Sequence, residues 1–226
     1  MSTSTVEYHL AELAIAKSET DLRKALPTLP SRFASILDIG CGAGQTLLAC
    51  DLHHDVLACG IDIDREAVAF GQKLDRQNKF ENRGQLNLAC AVGEALPFAD
   101  ASFEVVISRV AVPYMHIPTA LTEISRVLTP GGHLWLTLHP YQMVFEFLGR
   151  ALKSGNVKSM VYFSYALLNG LAFHYFGKLW RFPLNRQRCE SFQTAGAMQR
   201  ALRQAGFAQV EMEQAPNRFA IKAVKA

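Results

Sequence analysis

Short apolar runs and amphipathic stretches alternate along the chain, with turn residues between them. Ile36, Leu37 and Ile39 bracket Asp38 in a run that reads as a short buried strand. VLACGI at 56–61, LNLACAV at 86–92, Val105 to Ser108 and HLWLTL at 133–138 read as further strands. Helical stretches fall between them. The segment from Gln45 is apolar and helix-compatible, REAVAFGQKL follows the second strand, and Leu121, Ile124, Val127 and Leu128 repeat at helical spacing behind Pro118. Pro130-Gly131-Gly132 is the expected stop of that helix. Nearer the amino end, Val6, Leu10, Leu13 and Ala14 share one helical face, which Pro27 and Pro30 end. The tail gives a helix over 193–205 with Gly206 as its stop, then two strands, Val210 to Glu213 and Phe219 to Val224. Strands alternating with helices predict a doubly wound α/β sheet whose ligand site lies outside the carboxyl ends of the strands.

The first strand runs into a turn with glycine at 40, 42 and 44, whose backbone can approach a ligand closely. A phosphate-clamping GxxxxGK[ST] pattern is excluded, because no Gly-Lys pair stands near the turn. A dinucleotide GxGxxG pattern would need glycine at 45 or 47, where Gln45 and Leu47 stand. Asp62 closes the second strand 22 residues past Gly40, and one carboxylate there suits both hydroxyls of a ribose. Helix capping is the competing role, for which Asp64 is better placed.

The stretch ILDIGCGAGQT resembles the first motif of class I S-adenosylmethionine (SAM) dependent methyltransferases, small-molecule type. EISRVLTPGGHLWLTL resembles a later segment of that family, so the likeness covers about residues 33–139, and LRQAGFAQVEME beyond it resembles the family's ending. It implies a Rossmann-like seven-stranded sheet, mostly parallel with an antiparallel last strand, and SAM as cofactor. Asp38, Gly40, Gly42, Gly44 and Gln45 would then receive the methionine part, a zwitterion that backbone groups suit. Asp62 would hold the ribose and Ile63 would pack on the adenine. Where the family bonds the adenine amino group this chain has Val92 or Gly93, so backbone near Gly93 and the Glu94 side chain stand in. Arg109 would meet the methionine end mostly through its backbone, and Tyr114 and His116 would face the acceptor.

His139, Pro140 and Tyr141 end the fifth strand on the same edge. An imidazole there can take a proton from an acceptor atom, which makes His139 the candidate catalytic residue. A polar strand end without a catalytic part is the other reading, since a sulfonium methyl is already electrophilic and in-line geometry supplies much of the rate. The stretch 141–182 is an insertion, with 19 uncharged residues between Lys158 and Lys178. That length barely reaches the range of a membrane span, and Asn169, Gly170 and His174 lower its hydrophobicity. A helical lid over the acceptor is expected, with Tyr141, Tyr162 and Tyr165 in its pocket. Core-packing or dimer-forming helices are the alternative.

At 226 residues, half of them hydrophobic, the chain fits one domain over 1–226 with the insertion appended. Five cysteines without a CxxC pair suggest neither a metal site nor a disulfide framework. The amino end has no basic or apolar leader, so a cytoplasmic home is expected. The formal charge of +3 is split. Residues 1–140 carry 11 Lys and Arg against 16 Asp and Glu, and 141–226 carry 12 against 4. That basic third leaves a membrane surface open and raises nucleic acid as a partner, which the lack of an Asn-Pro-Pro-Tyr motif or a catalytic Pro-Cys pair disfavours. The expected function is methyl transfer from SAM to O, N or C of a small apolar or aromatic acceptor, by a monomer or homodimer. A SAM-binding protein without transfer activity, or an enzyme for lipid-like or nucleic-acid acceptors, is the alternative.

Overall fold

A computed structural model of the chain describes residues 7, 11–15, 26–50, 52–76, 86–139, 141–185, 189–215 and 218–226. Its elements run β1 (Ser35–Ile39), α1 (Gln45–Ala49), β2 (Leu57–Asp62), α2 (Arg65–Arg76), β3 (Leu86–Cys90), β4 (Phe103–Arg109), α3 (Ile117–Val127) and β5 (Leu128–Leu138). Then come α4 (Gln142–Ser154), α5 (Val157–Phe176), α6 (Ala195–Gln204), β6 (Phe207–Ala215) and β7 (Arg218–Lys225). A 3-10 turn over Val112–Tyr114 follows β4. Of the amino-terminal helix, residues 11–15 are helical, while Val6 and Leu10 lie outside the described residues.

The sheet has the order β3-β2-β1-β4-β5-β7-β6. β1 pairs in parallel with both β2 and β4, and β7 runs antiparallel between β5 and β6. The chain therefore winds away from β1 in one direction and returns on its other side, which opens a crevice at the carboxyl ends of β1 and β4. Parallel strands covered on both faces need apolar residues throughout, and β1 is buried at every position. On one face Leu37, Ile39 and Val106 pack with Leu121 and Ile124 of α3 and Met198 and Leu202 of α6. On the other Ile36, Val105 and Ile107 pack with Leu47 and Leu48 of α1 and Val68 of α2, joined by Leu13.

Several boundaries differ from those the sequence predicts, β6 for one beginning at Phe207 rather than Val210, and two of them have a visible cause. β3 stops at Cys90, because Val92 and Ala95 close a turn of their own. β5 begins at Leu128, and Pro130 to Gly132 lie inside it: Leu128 pairs with Phe103 ahead of a bulge, and Gly131 takes φ +74°. The helix ends at Val127, one residue before that pairing starts.

The insertion forms two helices joined by Gly155, at φ +66°, and Asn156, whose side chain caps α5 by accepting the Ser159 N–H at 3.1 Å. Asn169, 1% exposed, organises the return of the chain after α5. Its amide donates to the Trp180 and Glu190 carbonyls at 3.1 and 2.9 Å and its oxygen accepts the Trp180 N–H at 2.8 Å, so the returning segment is laced across α5. Such a fully bonded buried amide fixes one arrangement of an otherwise apolar helix.

Candidate active site

The glycine turn leaves β1 with φ +75°, +55° and +81° at Gly40, Gly42 and Gly44. At Gly40 a Cβ would also lie 2.1 Å from the Ala111 Cβ, so the turn and the loop after β4 touch backbone to side chain. Every N–H from Gly40 to Gly44 is donated inside the protein. Gly40 and Cys41 donate to the Ile61 carbonyl, Gly44 to Cys41, Gly42 to Asp62 Oδ2 at 2.7 Å and Ala43 to Gln45 Oε1 at 3.0 Å. The loop thus turns away from anions, because its donors are spent and what it offers a ligand is carbonyl oxygen.

Asp38 adds to that acceptor character. Its side chain is completely buried, and neither oxygen has a hydrogen-bond partner among the described residues. Burial pushes its carboxyl up to about 7, Arg109 nearby works against the rise, and Asp62 adds to it. Arg109 itself donates to Glu12 at 3.0 Å, which ties the amino-terminal segment to the end of β4. A buried carboxylate without a partner costs free energy unless a cation meets it.

Asp62 sits at the end of β2, half-buried. Its second oxygen accepts the Asp64 N–H at 2.8 Å, so the carboxylate fastens the glycine turn to β2 and keeps lone pairs for two further donors. Asp64, as the sequence predicts, caps α2 through the N–H groups of Glu66 and Ala67. Ile63 beside them is 60% exposed, an apolar side chain left at the rim of the crevice. Gly93 is buried, and a Cβ there would meet the Met115 sulfur at 2.6 Å. Glu94 accepts the His116 N–H at 3.1 Å and pairs with Arg181 at 3.3 Å, so this carboxylate is shared between the start of α3 and the segment after α5.

Tyr114 and His139, 25 residues apart, meet at the end of β5. The phenol oxygen lies 2.9 Å from His139 Nε2 with the rings edge to face, and burial holds the imidazole below its ordinary pKa. His116 turns elsewhere: its Nδ1 bonds Thr119 at 2.8 Å, and burial and Arg181 lower its pKa. Tyr141 is exposed at the start of α4. Tyr165 donates to the Trp180 carbonyl at 2.7 Å and Tyr162 to Glu190, so both hydroxyls fasten the segment after α5 to that helix, and their rings pack about Phe182, one edge-on and one tilted. That segment meets the site's rim at Arg181 and at Cys189, whose N–H donates to the Tyr114 carbonyl at 3.3 Å.

Sequence reasoning missed Ser108, buried on β4, whose hydroxyl donates to the Ile39 carbonyl at 2.7 Å and locks the two strand ends together. It also missed Arg126, which holds the loop after β3 through the Leu96 and Phe98 carbonyls and Asp100. Neither carries a sequence signal, since each depends on residues about 30 or more positions away. A cavity of 380 Å³ lined by Arg32, Phe33, Glu104 and His133 opens at the amino ends of β4 and β5, away from all these groups.

Residues 37–136 match the family described as a methyltransferase domain. An O-methyltransferase, rstn1, of Aspergillus nomiae is 38% identical over 100 residues, 44% of either chain. An O-methyltransferase of Pyrenophora dematioidea is 34% identical over 106 residues, 46% of this chain and 39% of its own. The chain thus spans less than half the length of these relatives. In three dimensions it is similar to the crystal structure of a SAM-dependent methyltransferase from Methanosarcina mazei, with a TM-score of 0.58 at 21% identity over 87% of this chain and 94% of that one. This likeness shows the fold, and over residues 37–136, which hold the glycine turn and the switch between β1 and β4, the chain is similar to the methyltransferase domain family.

Proposed function

We propose that this protein transfers a methyl group from SAM to a hydroxyl oxygen of a small apolar or aromatic acceptor. The observation that carries the reading is the buried Asp38 carboxylate, without a hydrogen-bond partner among the described residues, beneath a turn that presents only acceptors. SAM bears an ammonium and a sulfonium, and such an acceptor-rich pocket fits a cation where it would repel a phosphate. Asp38 and the carbonyls of the glycine turn would hold the ammonium of the methionine end. Asp62 would take the ribose hydroxyls, and Ile63 would cover one face of the adenine. The backbone at Gly93 would reach its edge, since the Glu94 carboxylate is already engaged. When bound, SAM supplies a methyl made electrophilic by the positive sulfur.

The Tyr114–His139 pair supplies the base. A hydroxyl set against the Tyr114 oxygen loses its proton to that oxygen as the phenol's own proton passes to His139 Nε2, leaving an imidazolium and a nucleophilic oxygenate. Burial keeps the imidazole neutral at pH 7 and therefore able to accept. The rings of Tyr162, Tyr165 and Phe182 would form the apolar wall that excludes water. Two O-methyltransferase relatives support oxygen as the target. Incubation with methyl-labelled SAM and a panel of phenols, aliphatic alcohols and amines tests this: label should enter hydroxyl compounds and depend on His139. Label in amines alone, or in nothing, would refute it.

A further inference from the structure

We infer that the outer ridge of α5 docks on an anionic lipid bilayer. Val157, Val161, Ser164, Leu168, Leu171 and Tyr175 follow one another at steps of four, three, four, three and four. At 100° per residue they fall within an arc of about 80° and form a ridge about 27 Å long. All six are exposed, the five apolar ones from 39% to 70%. Ala166, Asn169, Gly170 and Phe173 occupy the opposite face and are buried against the domain, so the helix cannot turn its ridge inward. Phe176 and Trp180, at and just past the end of the helix, are exposed at 75% and 57%, and the amphipathic rings of Tyr175 and Trp180 suit the headgroup level of a membrane.

The surrounding charge selects the occupant. Lys153, Lys158 and Lys178 are exposed around the two ends of the ridge, and the one acid over 142–184, Glu146, pairs with Arg150 at 3.7 Å. Pairing with a second copy would set Lys158 against its own equivalent or against Lys178, like charge on like. An anionic bilayer offers the complementary sign together with an apolar layer a few ångströms below it. No helix among the described residues is long and apolar enough to cross a membrane, so α5 would lie on the surface. The segment that follows α5 is joined to the active-site rim through Arg181–Glu94, so the helix that carries the ridge is fastened to the proposed site.

Flotation of the whole protein with vesicles tests this, using phosphatidylcholine alone and with about 30 mol% phosphatidylglycerol. Binding to the anionic vesicles should exceed binding to the neutral ones about tenfold and weaken with salt. Leu168→Ser with Tyr175→Ser should lower it about tenfold, and Lys158→Glu with Lys178→Glu several-fold, with circular dichroism and melting temperature unchanged. No vesicle binding, or binding indifferent to both pairs, overturns the inference. So does a wild-type dimer in sedimentation that the ridge variants convert to monomer. Calorimetric SAM binding by the same ridge variants should match wild type, so a failure here leaves the methyl-transfer reading standing on its own evidence.

Discussion

Asp38→Asn is the most informative single change. In the folded protein the carboxyl stands at about 7 against 3.8 in the free side chain, with burial as the largest cause. A carboxyl raised on folding favours the fold fully below its unfolded value, and that contribution is lost as pH rises through about 7. Between pH of about 5.5 and about 8 the ionisation penalty grows by roughly 2 kcal/mol, which for a chain of this size is roughly 4–8 °C in melting temperature. Scanning calorimetry without cofactor should show wild type losing about that much relative to Asp38→Asn across the interval, over the opposite trend that the buried His116 and His139 give both proteins. Asp38→Asn should be the more stable protein at pH 8. Saturating SAM should remove the wild-type loss, because the cation then meets the ionised carboxylate, and should stabilise the variant far less. Equal pH slopes in the two proteins would refute the argument that Asp38 is an uncompensated buried acid.

Four other changes probe the site. Asp62→Ala removes the anchor of the Gly42 N–H as well as the ribose contact, so SAM affinity in calorimetry should fall about 10²-fold, from two charged hydrogen bonds, and unchanged affinity would remove Asp62 from the cofactor site. His139→Ala should lower kcat about 10²-fold, and the wild-type rate should fall on the acid side with a midpoint below 6.5, since the imidazole must be neutral to accept; a pH-independent rate from 5 to 7 would exclude it as base. Tyr114→Phe should cost about tenfold in kcat with SAM affinity unchanged. Gly40→Ala should lose several kcal/mol of stability and bind no SAM, and adding Ala111→Gly should recover only part of that stability, because the clash is relieved and the φ of +75° is not; full recovery would show that φ is irrelevant there.

The sheet was legible because parallel strands buried on both faces must be apolar, so β1, β2, β4 and β5 stand out between helical stretches, and Asp62 and Asp64 could be told apart by their distance from the second helix. Where β5 begins was not legible: Pro130-Gly131-Gly132 is a stop signal locally, and only pairing with Phe103 draws those residues into the strand. Tyr114 was visible as a polar residue in the loop after β4 and His139 as one at a strand end, yet their hydrogen bond depends on how that loop folds back. The same limit explains Glu94, Tyr162 and Tyr165. Their chemistry suits ligand binding, but the structure gives the Glu94 carboxylate and both hydroxyls partners from segments far along the chain. Asn169 looked like an interruption of an apolar run and is the residue that holds the segment returning after α5 against that helix.

Whether an acceptor-rich turn beside a buried carboxylate binds a cationic nucleoside is measured most directly by titration calorimetry of the whole chain with SAM, at pH of about 6 and about 7.5. One site should appear at both, several-fold tighter at the higher pH as Asp38 ionises, with that dependence lost in Asp38→Asn. No heat of binding at either pH, or affinity that weakens as pH rises, would contradict it.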